Sequence, residues 1–129
     1  MTHLRTPLAG ARGLGAAKAG FNHWWLARVT SLALVPLILW FVFAIASLGN
    51  MKYATFVAWV RSPVVTALLI ITLVVTVYHM MLGLRVIIED YVHSEGLKVA
   101  SIIVMNFLSV LLLTIGLVAL LRIFLSVGP

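Results

Sequence analysis

Three long apolar stretches, at about residues 24–48, 63–91 and 97–125, are separated only by short polar breaks and leave the chain few ways to fold. Each exceeds the ~20 residues that an α-helix needs to cross a ~30 Å hydrocarbon core. A soluble domain needs a polar surface, yet hydrophobic residues fill 64% of the 129 positions and charged residues 9%. The expected fold is therefore all-α and integral to a membrane, with three transmembrane helices.

The first span opens at Trp24 and Trp25, where an aromatic belt meets the headgroups, and Gly49-Asn50 ends it. Pro36 falls in its middle and predicts a kink. Ala44-Ile45-Ala46 resembles a signal-peptide cleavage site, but an apolar run from Val29 to Leu48 is longer than a usual signal core and favours a retained helix. Residues 50–62 read as a short loop carrying Lys52 and Arg61, with Trp59 as a second interfacial anchor. Pro63 suits the first turn of the second helix. That helix, of roughly 40 Å, should tilt or project into the headgroups before Ser94-Glu95-Gly96 breaks it. On the third helix Asn106, Ser109 and Thr114 read as packing or backbone-bonded positions.

The net charge of +6 is not spread as a nucleic-acid footprint would be. Arg5, Arg12, Lys18, Arg28, Arg85 and Lys98 fall on one side of the three spans, against Lys52, Arg61 and Arg122 on the other. The positive-inside rule then expects a cytoplasmic tail over residues 1–22, a three-helix anchor domain over 23–129, and the C-terminus on the opposite side. Gly10, Gly13 and Gly15 form a G-x-x-G-x-G string, but no strand precedes it, so neither a dinucleotide nor a phosphate fingerprint is met. With no cysteine, the chain holds no disulfide, iron–sulfur cluster or thiolate metal site. Any redox chemistry must use a cofactor held otherwise, or a partner.

The residues that demand a reason lie at the end of the second helix. His79 is eleven positions before Asp90, roughly 16 Å along the axis, which puts it in the middle third of the bilayer. At 100° per residue His79, Gly83, Val86 and Asp90 share one face. An intramembrane histidine is costly without a partner. It is either an axial haem ligand, with Gly83 leaving room for a flat macrocycle, or one end of an interhelical hydrogen bond; the residues alone leave both open. Bis-histidine ligation would need a second chain, because His3, His23 and His93 are expected in the tail or at the interface. Arg85 and Glu89 have the spacing of a local ion pair. Tyr91 has the form of an interfacial anchor and also of a hydrogen-bond donor to a quinone carbonyl, which Asp90 beside it would orient or feed with protons. Arg28, expected at a similar depth, either meets a haem propionate or snorkels to headgroups.

The pattern H-x3-G-x6-D-Y, here His79, Gly83, Asp90 and Tyr91, resembles the second-helix signature of the small hydrophobic anchor (D) subunits of succinate dehydrogenase. The run Trp25-Leu26-Ala27-Arg28-Val29-Thr30-Ser31 is similar to the start of helix one in that family, and the resemblance covers about residues 20–125. It implies that His79 is one axial ligand of a haem b whose other ligand comes from a cytochrome b anchor subunit. It implies too that Arg28 lies beside a haem propionate, and that Tyr91, supported by Asp90, binds ubiquinone near the iron–sulfur subunit. Succinate would be oxidised on a flavoprotein subunit, so this chain would be non-catalytic alone, a multi-pass subunit of a bacterial inner membrane surrounded by lipid. Two other readings remain: a self-associating quinone-reactive cytochrome b, and a structural or transport subunit in which His79 only packs or relays protons.

Overall fold

The computed structural model describes Leu8 and residues 17–49 and 52–126. They form four helices: α1 over Ala17–Ser47, α2 over Tyr53–Val60, α3 over Pro63–Tyr91 and α4 over Glu95–Leu125. Of these, α1, α3 and α4 are long and apolar enough to cross a membrane, so the chain is a multi-pass membrane protein. Most of the tail expected over 1–22, including His3, Arg5 and Arg12, lies outside the described residues, and from Ala17 onward that segment is helix.

Helix ends follow local chemistry. After α1, Gly49 takes φ +63°, the left-handed conformation that closes a helix and that other residues resist. Pro63 stands in the first turn of α3, where its missing N–H costs nothing. At the start of α4, Glu95 puts a carboxylate by the positive end of the helix and pairs with Lys98 at 3.2 Å. The turn between α3 and α4 is thereby confined to Val92–Ser94.

The segment read from sequence as a loop over 50–62 contains α2. Its stability comes from tertiary packing. The Trp59 ring stacks on Trp40 of α1 at 6.1 Å and lies 5.9 Å from Phe56. Val60 is fully buried, and the hydroxyl of Thr66 in α3 donates to its carbonyl. Trp59 is thus a packing residue of this corner.

Helix α3 is the middle helix. Both α1 and α4 pack on it, and Ile38 and Phe41 of α1 share a cavity with Gly116 and Ala119 of α4. Small and hydroxyl-bearing residues fill the seams, as expected where no hydrophobic force drives helices together in lipid. Thr30, Thr66, Thr72 and Ser109 are buried, and Thr72 returns its hydroxyl proton to Leu68 O at 2.7 Å. On α4, Thr114 likewise bonds Val110 O at 2.8 Å. Gly116 lets α4 approach so closely that a Cβ there would lie 2.6 Å from Leu73 Cδ2. The outer faces of α1 and α4 carry large exposed apolar side chains such as Leu32, Phe43, Phe107 and Ile115.

Candidate cofactor-binding site

His79 is half-buried on α3 where that helix meets α1. Its Nδ1 lies 2.8 Å from Thr30 Oγ1. This is the interhelical hydrogen bond that the plainer explanation of an intramembrane histidine requires. It meets only one of the two ring nitrogens, and Nε2 has no hydrogen-bond partner among the described residues.

The ring borders an open groove of about 410 Å³ whose other walls are Ser31, Leu34, Val35, Ile38 and Leu39 of α1. One turn along α3, Gly83 is exposed, and a Cβ built there would meet nothing within 4 Å. Packing within this chain does not call for glycine at 83. The flank of α3 beside His79 is open, leaving room for a group arriving from outside the chain.

Arg28 is exposed, with its guanidinium 5.5 Å from the Trp24 ring centroid and no carboxylate partner among the described residues. Successive residues turn by 100°, so Arg28 lies on the stripe of α1 that continues through Ser31 and Val35 along the groove. Its depth needs correcting. The contact at Thr30 fixes the register of α1 on α3, so Arg28 starts two residues, roughly 3 Å, from the level of His79, well short of Asp90 and Tyr91. The sequence placed it level with that pair because it measured depth from the apolar boundary, and α1 extends beyond that boundary to Ala17.

Tyr91 and Asp90 lie in the last turn of α3, both exposed, Tyr91 at 78%. Neither has a hydrogen-bond partner among the described residues. Arg85 Nε meets Glu89 Oε1 at 2.9 Å, the local pair that their spacing predicts. No group of three or more metal-ligating side chains occurs among the described residues, so a metal met by His79 would draw its other ligands from elsewhere.

One residue with no role read from sequence, Thr30, enters the site. Thr30 was visible only as part of the run after Arg28, since the register that brings it to His79 is set by packing. His23 was expected at the interface. It lies within α1, seven residues and about two turns before Thr30, and its Nε2 is the one buried side-chain nitrogen or oxygen without a partner among the described residues.

Residues 2–113 match the family described as succinate dehydrogenase/fumarate reductase transmembrane subunit. The chain is 32% identical to a succinate dehydrogenase hydrophobic membrane anchor subunit of Rickettsia conorii, over 90% of this chain and 93% of that one. It is 32% identical to a succinate dehydrogenase membrane anchor subunit of Reclinomonas americana, covering 72% and 80% of the two chains. With the hydrophobic membrane anchor subunit of Paracoccus denitrificans it shares 29% identity over 75% of each. No solved structure matches it significantly.

Proposed function

The chain belongs to the succinate dehydrogenase/fumarate reductase transmembrane subunit family, as a membrane anchor of the succinate dehydrogenase type, and from that membership we propose that it supplies one side of a haem b site and of a ubiquinone site. The observation that carries this reading is the half-satisfied His79, with Nδ1 bonded to Thr30 and Nε2 unpartnered beside an open groove. In hydrocarbon an imidazole nitrogen left unmet costs about 1–3 kcal/mol, so a group from outside the chain is needed to meet it.

Neutral imidazole suits haem iron. His79 would hold the iron through its free nitrogen, and the other ligand would come from a cytochrome b partner subunit, because His23 and His93 lie toward the end of the helices and not at its level. Arg28, on the stripe beside the groove, would meet a propionate with a charge-assisted bond. A haem bound there would supply a one-electron centre. Tyr91 would donate its phenolic proton in a hydrogen bond to a quinone carbonyl, and Asp90 beside it would orient the ring or exchange protons with water.

Electrons from succinate would arrive through flavoprotein and iron–sulfur subunits, a division of labour that agrees with the absence of cysteine here. The excess of cationic residues at the outer ends of α1 and α3 supports a cytoplasmic N-terminus, a tail over 1–22 followed by the anchor domain over 23–129, and residence in a bacterial inner membrane. The chain alone would catalyse nothing.

Tyr91→Phe tests the quinone assignment. Loss of one hydrogen bond, about 0.5–1.5 kcal/mol, predicts a roughly two- to tenfold fall in succinate–quinone turnover efficiency. Succinate oxidation by an artificial soluble acceptor should persist. Equal loss of both activities would mean failed assembly and would count against Tyr91 as a quinone ligand.

A further inference from the structure

We infer that Thr30 is the positioning residue for His79: it holds the imidazole in the tautomer that leaves a lone pair on Nε2, and fixes the ring so that this nitrogen is the one offered to a ligand. The inference rests on the haem reading above and assigns to α1 a part in ligation that the family resemblance does not mention.

Counting protons around Thr30 fixes the tautomer of His79. Thr30 Oγ1 carries one hydrogen and has three neighbours: Leu26 O at 2.7 Å, Ala27 O at 3.2 Å and His79 Nδ1 at 2.8 Å. Two carbonyl oxygens can only accept. If the hydroxyl donates back to Leu26 O, as helical threonines commonly do, its oxygen can only accept from the ring, and the hydrogen of the neutral imidazole must reside on Nδ1. If instead the hydroxyl donates to Nδ1, the ring hydrogen sits on Nε2 and cannot be satisfied. The groove walls are Leu34, Val35, Ile38 and Leu39, with Ser31 the single polar residue. An N–H donor turned into an apolar groove in hydrocarbon finds no acceptor there and costs free energy, whereas a nitrogen lone pair can meet a ligand. The first arrangement therefore wins.

A chain of bonds thus runs from the Leu26 carbonyl through the Thr30 hydroxyl to Nδ1–H of His79. Such outer bonds orient a ligating histidine and make its free nitrogen more basic. A more basic ligand favours the ferric over the ferrous state, so this bond should hold the haem potential down. Burial keeps the device intact, since Thr30 is 9% exposed and water has little access to the hydroxyl.

The test uses the assembled complex, with haem retention and midpoint potential as readouts, and compares Thr30→Val and Thr30→Ser with His79→Leu. Thr30→Val keeps the shape and deletes the hydroxyl. Haem affinity should fall about 10–100-fold and the potential should shift upward. Thr30→Ser should restore both, which a merely structural role for the side-chain methyl would not predict. If Thr30→Val impairs assembly, Thr30→Ala removes the same hydroxyl with less volume and carries the same expectation. A Thr30→Val complex with the parent potential and retention, alongside a His79→Leu complex that loses the haem signal, would overturn the positioning role and leave the ligand assignment standing. An unchanged spectrum in His79→Leu would remove the ligand assignment and this inference together.

Discussion

The guanidinium of Arg28 lies 5.5 Å from the ring of Trp24, one turn back along α1, and faces no carboxylate among the described residues. An exposed cation–π contact is worth about 0.5–1 kcal/mol, too little to account for a charge held within two residues of the level of an intramembrane histidine. The charge is available to an anionic group on the groove side of α1.

Replacing Arg28 with Gln should therefore shift the haem midpoint potential downward, because removal of a nearby positive charge favours the ferric form. This is opposite in sign to the shift expected for Thr30→Val. A redox titration of the assembled complex checks it, and an unaltered potential would favour a side chain that only reaches for headgroups.

Glu89 and Asp90 are neighbours in sequence with different expected behaviour. The Arg85–Glu89 pair is about half exposed on both sides. Glu89→Gln should change thermal stability by less than about 0.5 kcal/mol and leave quinone reduction intact. Asp90→Asn should depress quinone reduction while sparing the artificial-acceptor assay. If both substitutions behave alike, Asp90 has no special part in the quinone site.

Gly116 lies in the seam between α3 and α4. A Cβ at this position would meet the end of the Leu73 side chain, which can rotate away. Gly116→Ala should then be close to neutral, since the gain in helix propensity of about 1 kcal/mol offsets the crowding. Gly116→Val should destabilise the hairpin by about 1–3 kcal/mol, and Leu73→Ala in the same chain should recover part of that loss. Unfolding midpoints in detergent distinguish these cases.

At the opposite corner, Trp59→Ala removes the ring that stacks on Trp40 and tilts against Phe56. Each aromatic pair contributes about 0.5–1.5 kcal/mol beyond area burial, so the substitution should lower the unfolding midpoint and expose Val60. Because this corner is distant from His79 in sequence and lies at the other end of α3, the haem spectrum should not change.

Apolar length decided the three spans, and the sequence carries that information directly. Pro63 and Gly49 also marked boundaries by their own backbone chemistry. Helix α2 was hidden because eight residues are too few for a periodic signal and Trp40, which holds it, lies far back in α1. His79 stood out because its burial cost is a property of one residue. Thr30 did not, because its meaning depends on which turn of α1 meets which turn of α3. The depth of Arg28 went astray for the same reason.

The most direct measurement of haem ligation by His79 is the reduced-minus-oxidised optical spectrum of the complete complex with His79 replaced by Leu. If His79 ligates haem b, the haem absorption is lost or its bands shift and weaken, while the iron–sulfur and flavin signals of the soluble partners persist. A haem spectrum identical to that of the parent complex, at the same occupancy, would show that His79 ligates nothing and that its bond to Thr30 serves helix packing alone.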